Sequence, residues 1–100
     1  MSGVYILNNT NKNKDGKLYL KIGCSKDIEK RVNQIKKSFK FNGNLDELVI
    51  YKVIECKSYL ALEKILHSCL KSRKITNEWY FTEPSFLEGR LAMVDLSRYN

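Results

Sequence analysis

The sequence predicts a small α/β domain in which a three-stranded, mainly antiparallel sheet is flanked by helices. The chain has 100 residues, a length typical of one domain, so we assign residues 1–100 to a single domain. Two short apolar runs near the start have the length and composition of strands. Later segments repeat apolar residues at helical spacing. The predicted order of elements is β-β-α-β-α-β-α.

The first two strands are predicted to form a hairpin. They are GVYIL at residues 3–7 and LYLKIG at residues 18–23. The segment between them, residues 8–17, is rich in Asn and Lys and contains an Asp-Gly pair that favours a tight turn. Because side chains alternate along a strand, four residues can share one face of the hairpin: Tyr5, Tyr19, Lys21 and Gly23.

A longer strand and a shorter one follow. Residues 48–56 (LVIYKVIEC) are apolar at nearly every position, which predicts a strand near the centre of the sheet. Residues 73–77 are predicted to form a loop. Residues 79–81 (WYF) are predicted to form a compact strand or extended segment.

Three helices are predicted from apolar spacing and capping residues. The first begins after Ser25 or Asp27, and its apolar stripe is Ile28, Val32, Ile35 and Phe39. The second begins after Ser58, and its packed stripe is Leu62, Ile65, Leu66 and Cys69. The third begins at Pro84, which suits a first helical turn, and extends to about Arg98.

The net charge of +7 is concentrated in the first two fifths of the chain. Residues 1–41 contain ten Lys and Arg but three Asp and Glu, whereas residues 42–100 contain eight of each. A solvated basic face would explain this excess of positive charge. The concentration of the charge in one segment nevertheless favours a polyanionic partner such as nucleic acid. The candidate nucleic-acid-binding residues are Lys12, Lys14, Lys17, Lys26 and Lys36.

Composition argues against several classes of protein. Three widely spaced cysteines and one histidine, without a C-x-x-C pair, do not suit a structural zinc site or a disulfide framework. No apolar run approaches the ~20 residues that span a membrane, and the first residues do not resemble a signal peptide. We therefore expect an intracellular protein, in the cytoplasm or a host nucleus, with no membrane partner.

Four polar residues suit phosphodiester chemistry: Tyr5, Lys21, Arg31 and Glu63. Arg31 lies about 60° from Ile28 around the first helix, at the rim of the apolar stripe, so it can lean towards the hairpin. Arginine and lysine would offset charge on a pentavalent phosphorus, a carboxylate can help hold a divalent ion, and a tyrosine hydroxyl can orient or deprotonate water. Each residue also has an ordinary explanation, such as an exposed Glu63–His67 pair.

Five short motifs, in order, resemble those of GIY-YIG nuclease domains. Gly3–Tyr5 (GVY) matches the first motif, and Lys21–Gly23 (KIG) stands at the second. Ser25–Arg31 (SKDIEKR) resembles the helix that carries the family's arginine, and Ala61–His67 (ALEKILH) resembles the helix that carries its glutamate. Asn77–Phe81 (NEWYF) is similar to a segment of the KIG-type branch that is common in phages and large DNA viruses.

This resemblance, over residues 3–81, implies a three-stranded antiparallel sheet and an endonuclease that cleaves DNA with one Mg²⁺ or Mn²⁺ ion. It implies that Tyr5 acts on the attacking water as base or positioner, that Arg31 stabilises the transition-state phosphate and that Glu63 binds the metal. Lys21 replaces a tyrosine, as a proton acceptor or an electrostatic partner. Gly23, without a Cβ, would let the substrate backbone approach closely. Candidate supporting residues are Tyr19, His67 and Asn77, with Glu78 an alternative to Asn77.

Two main functions, and a weaker third, are predicted as alternatives. The first is an endonuclease acting on duplex or branched DNA with little sequence preference, or with specificity supplied by a protein partner. The second is a catalytically weak or inactive nucleic-acid-binding module on the same fold, and a weaker third is a protein-interaction domain of a viral or mobile element. Because a degenerate copy would be expected to lose at least one of Tyr5, Arg31 and Glu63, the presence of all three favours the nuclease.

Overall fold

The computed structural model describes all residues, Met1–Asn100, and centres on an antiparallel sheet. Its strands are β1 (Gly3–Asn9), β2 (Leu18–Ser25), β3 (Leu48–Glu55), β4 (Lys74–Thr76) and β5 (Trp79–Thr82). They lie in the order β3-β1-β2-β5-β4, and every neighbouring pair is antiparallel. The α/β class is therefore confirmed, but the sheet has five strands and the prediction of three was wrong.

The two additional strands of the sheet come from the segment before the third helix. Residues 74–76, predicted as part of a loop, pair with β5 across the turn at Asn77-Glu78. Asn77 has a φ of 42°, a conformation that asparagine tolerates better than most residues. β4 is short and exposed along its length, so it lacks the apolar alternation that indicates a strand.

Strand β3 lies at an edge of the sheet, and the prediction that it is central was wrong. The strand buried along its whole length is β1, which lies between β3 and β2. On β3, Ile50 is 50% exposed. The continuous apolar run therefore does not mean burial on both faces of this strand.

β1 and β2 form the predicted hairpin. Their register pairs Tyr5 with Gly23 and Leu7 with Lys21. The connection contains one 3-10 turn, Thr10–Lys12, and a tight turn at Asp15-Gly16 with φ values of 53° and 74°. The basic loop is thus held close to the end of the hairpin.

Three helices cover the sheet: α1 (Ile28–Phe41), α2 (Tyr59–Cys69) and α3 (Pro84–Ala92). Asp27 is the N-cap of α1, because its Oδ1 accepts a hydrogen bond from the Lys30 N–H at 3.3 Å. α3 ends at Ala92 and not at Arg98 as predicted. The Asp95 side chain accepts from the Ser97 N–H at 3.2 Å and starts a separate 3-10 turn, Leu96–Tyr99.

The helices divide the apolar residues between two faces of the sheet. On the face covered by α1, called the α1 face, the buried residues are Tyr5, Leu7, Ile28, Val32 and Leu48. On the opposite face, called the α2 face, α2, its C-cap residue and α3 contribute Leu62, Leu66, Leu70, Leu87 and Leu91. The predicted stripe of α2 was wrong at Ile65, which is 40% exposed. No helix combines the length and apolar composition needed to cross a lipid bilayer.

Candidate functional site

The ring of Tyr5 lies on the α1 face and crosses Gly23 of the neighbouring strand. The pairing of β1 with β2 sets these two residues side by side. A Cβ at residue 23 would overlap the ring and hydroxyl of Tyr5. The space left by the missing side chain is thus filled by Tyr5, and the prediction that it receives a substrate backbone was wrong.

The outer edge of β2 is free where Tyr5 crosses it. β5 pairs with β2 only from Leu18 to Lys21. Beyond that point, the Ile22 N–H donates to the Glu78 carbonyl at 3.3 Å, and the strand continues to Ser25 paired with β1 alone. Side chains from the two faces of the sheet can therefore meet around this edge.

The charged groups of Arg31, Glu78 and Glu63 lie close enough to Tyr5 to act on it electrostatically. Burial raises the pKa of Tyr5 above its ordinary value of 10.0, and the carboxylates of Glu78 and Glu63 raise it further. The Arg31 guanidinium opposes this pKa shift through hydrogen bonding and charge. The hydroxyl of Tyr5 consequently stays protonated at neutral pH. Glu63 belongs to α2, which packs on the opposite face of the sheet, yet the charge of its carboxylate still acts on Tyr5.

Lys21 lies on the α1 face next to Tyr5, as predicted, but its ammonium is not free. Its Nζ is 2.8 Å from the Glu78 carboxylate and 5.5 Å from the centre of the Trp79 ring. The side chain of Lys21 is 18% exposed. Of the two polar residues in the last motif, Glu78 contacts the site through Lys21, whereas Asn77 is exposed in the turn.

Glu63 is half-buried on α2 and has no Lys or Arg partner within 4.0 Å. It lies beside Cys24, whose pKa is raised to about 12 by burial, with hydrogen bonding to Glu63 and the charge of Glu63 as further causes. Cys24 therefore remains a thiol at neutral pH. No group of three or more His, Cys, Asp or Glu side chains is gathered anywhere. The donor set suits a water-rich magnesium or manganese ion on one carboxylate, and does not suit zinc.

A groove of about 280 Å³ opens between α1 and the β2–β5 pair. Lys21 and Arg31 supply positive charge to its wall, and Gln34 and Trp79 supply polar and aromatic surface. A groove with an arginine and a lysine in its wall can receive a phosphodiester.

His67 has a structural partner. Its Nδ1 forms a hydrogen bond with the hydroxyl of Tyr80, which is fully buried on the α2 face. Burial is the main cause that raises the pKa of Tyr80, and the charges of Glu78 and Glu63 add to it. His67 therefore lies one helical turn from Glu63 but is held by the core. Nothing in its sequence motif indicates this contact.

The candidate DNA-binding lysines do not form one patch. Lys12 and Lys17 lie over aromatic rings next to the groove, and Lys14 lies in the tight turn of the hairpin loop. Lys26 is exposed just before α1. Lys36 lines a separate groove of about 320 Å³ together with Lys40, Asp46 and Glu47, so this groove carries both signs of charge.

Comparison with known protein families matches residues 2–94 to the T5orf172 domain. The chain belongs to the T5orf172 domain family. This domain is associated with nucleases of phages and viruses, and the match supports a nuclease-like or DNA-binding protein. It does not distinguish the GIY-YIG type from others.

A viral protein is similar to most of this T5orf172 domain. The uncharacterized protein 460R of Invertebrate iridescent virus 6 is 32% identical over 72 residues, which are 72% of this chain and 31% of the viral protein. The T5orf172 domain thus spans about a third of the length of this relative. No solved structure matches the chain.

Proposed function

We propose that this T5orf172 domain is a metal-dependent endonuclease of the GIY-YIG type that hydrolyses DNA phosphodiester bonds with low intrinsic sequence specificity. The observation that supports it most is that the charges of Arg31 and Glu63 both act on the buried hydroxyl of Tyr5. Packing alone would not require a buried tyrosine hydroxyl to lie within electrostatic reach of both a guanidinium and a carboxylate carried by two different helices.

In this proposal, the scissile phosphate lies at the mouth of the groove, between Arg31 and Lys21. The guanidinium of Arg31 is exposed, and it stabilises the charge that develops on the phosphate oxygens. Lys21 acts as an electrostatic partner because its ammonium is held by Glu78. The protonated Tyr5 hydroxyl positions the attacking water by hydrogen bonding, because its raised pKa disfavours the phenolate that a general base requires.

Glu63 is the proposed ligand of Mg²⁺ or Mn²⁺. Its carboxylate is half-buried and unpaired, and a magnesium ion in proteins keeps several waters and needs only one or two carboxylates. The bound ion would act as a Lewis acid on the phosphate and lower the pKa of coordinated water. The Cys24 thiol lies beside this carboxylate, and hydrogen bonding to Glu63 adds to the burial that raises the Cys24 pKa.

A catalytically weak or inactive DNA-binding module is the second candidate function. Two observations favour it: Glu78 neutralises Lys21 where a tyrosine would stand, and His67 is bonded to Tyr80 instead of facing the groove. In either case we propose an intracellular viral or phage protein. We also propose that a protein partner supplies sequence specificity.

The experiment is nicking of supercoiled plasmid in Mg²⁺ or Mn²⁺ by the wild type and by Glu63→Gln. This substitution keeps the shape of the side chain and removes the charge that binds the ion. Glu55→Gln is the matched control, because Glu55 is exposed at the end of β3 and has no ion-pair partner.

The proposal expects metal-dependent nicking by the wild type and by Glu55→Gln, and loss of nicking in Glu63→Gln. Equal nicking by all three proteins would identify a contaminating nuclease and overturn the assignment of Glu63. Absence of nicking together with salt-sensitive DNA binding would establish the binding module instead.

A further inference from the structure

Three aromatic side chains form a row on the α1 face, on the part of the sheet made by β2 and β5. Tyr19 pairs with Phe81 in the register of these strands, and Lys21 pairs with Trp79. The ring centres of Tyr19 and Trp79 are 5.0 Å apart, and those of Tyr19 and Phe81 are 6.4 Å apart. This row is called the aromatic row below.

Each ring of the aromatic row carries a lysine ammonium over it. Lys12 Nζ is 5.0 Å from the centre of Tyr19, and Lys17 Nζ is 5.6 Å from the centre of Phe81. Lys21 lies over Trp79. Lys12 and Lys17 form no ion pair within 4.0 Å, whereas Lys21 is paired with Glu78. The charge of Lys17 also acts on Glu83. The surface therefore carries three lysines beside two carboxylates and is basic.

No helix covers most of the aromatic row. α1, the helix on this face, lies against β1 and β2, whereas the main contacts of β5 are with β2, β4 and the short turn after α2. Tyr19 and Phe81 belong to neither buried core, and Trp79 touches the smaller one at its edge. All three side chains are partly exposed. Two aromatic rings outside the core and a third at its edge form a partly exposed surface that a ligand with flat apolar groups could contact.

We propose that the aromatic row and its lysines bind the unpaired bases of a DNA strand, so that the preferred substrate carries a single-stranded segment next to the bond to be cut. This inference rests on the proposed function, because Trp79 and Lys21 belong to both the aromatic row and the candidate active-site groove.

The chemistry of the surface favours a single strand over a duplex. Unpaired bases stack on aromatic side chains regardless of sequence, whereas the bases of a duplex already stack on each other and offer no free face. A base that stacks on Tyr19 or Phe81 displaces the exposed Lys12 or the half-buried Lys17 from the ring. The displaced ammonium can then contact the adjoining phosphate, and rings alternating with cations match bases alternating with phosphates.

The fluorescence of Trp79, the only tryptophan, reports binding at this surface directly. We would titrate the protein in EDTA with oligothymidine of about 12 nucleotides, within the range typical of single-strand sites, and with a duplex of the same length. The test variants are Tyr19→Ala and Tyr19→Leu, of which the second keeps apolar bulk without the ring. The matched control is Tyr51→Ala, because the Tyr51 hydroxyl donates to Glu88 of α3 at 3.2 Å, away from the aromatic row.

The proposal expects saturable quenching of Trp79 emission by oligothymidine. Both Tyr19 variants should weaken this binding by roughly 5- to 150-fold, the range for losing one stacked base, while Tyr51→Ala leaves it unchanged. Duplex affinity should change much less in every variant. Equal weakening of duplex binding and single-strand binding would overturn the proposal. So would undiminished single-strand binding by a folded Tyr19→Leu protein. Because EDTA prevents cleavage, loss of nicking activity and loss of strand binding are separate outcomes.

Discussion

Gly23→Ala should destabilise the protein by forcing Tyr5 out of its place. The added Cβ would overlap the ring and hydroxyl of Tyr5, a residue that is 3% exposed and packs against Ile28 and Val32. The backbone at Gly23 does not have a positive φ, so the cost comes from the side-chain overlap alone. Overpacking of this kind costs about 1–3 kcal/mol. At about 4–8 °C per kcal/mol for a domain of this size, Tm should fall by about 4–24 °C.

Gly89→Ala is the matched control for this prediction. Gly89 is exposed in the interior of α3, and a Cβ there meets no atom within 4 Å. Alanine should stabilise the helix by about 0.4–1 kcal/mol, because it lowers the conformational entropy of the unfolded chain. Thermal and urea unfolding followed by circular dichroism measures both variants. The same samples should show reduced nicking for Gly23→Ala and normal nicking for Gly89→Ala.

A double-mutant cycle decides whether Tyr5 is the cause. In a Tyr5→Leu background the ring and hydroxyl are gone, so Gly23→Ala should cost much less than in the wild type. An undiminished cost in that background would refute the packing of Tyr5 across Gly23. So would a Gly23→Ala protein as stable as the wild type.

Two further predictions concern the exposed arginine of the site and the alkaline stability of the fold. Arg31→Ala should slow nicking by about 10²–10³-fold and change the free energy of unfolding by no more than about 0.5 kcal/mol. Arg98→Ala is the control, because Arg98 is also exposed. A stable, fully active Arg31→Ala protein would contradict the role of the guanidinium. Burial is the largest cause that raises the pKa of five acidic groups: Tyr5, Cys24, Tyr51, Cys56 and Tyr80. The folded state therefore holds protons that the unfolded state loses from about pH 9. The free energy of unfolding, measured in urea, should be level below that pH and fall as the pH rises further. A constant free energy of unfolding up to about pH 11 would contradict the burial of these groups.

Local patterns predicted the hairpin and much of the packing. Alternation along β1 and β2 placed Tyr5 and Lys21 on the same face because the side-chain period of a strand is fixed at two. Helical spacing identified Ile28 and Val32 as the buried stripe of α1. The motifs also pointed to a nuclease, and the family match supports that class, while the catalytic roles stay predictions.

Other features depend on neighbours that no local pattern describes. β4 was missed because an exposed three-residue edge strand has no hydrophobic alternation, and β3 was placed at the centre because an apolar run does not reveal which strand pairs beside it. The end of α3 depends on one side-chain contact of Asp95.

The residue types and their periodicity are local properties, so the sequence alone was sufficient for the α/β class, the shared face of the first hairpin and the candidate residues themselves. The electrostatic effect of Glu63 on Tyr5 was not a local property. It depends on the packing of α2 against the sheet, which brings the Glu63 carboxylate within electrostatic reach of Tyr5. Strand order and helix docking are set by contacts between residues far apart in the chain. Folding therefore determined where the charges converge.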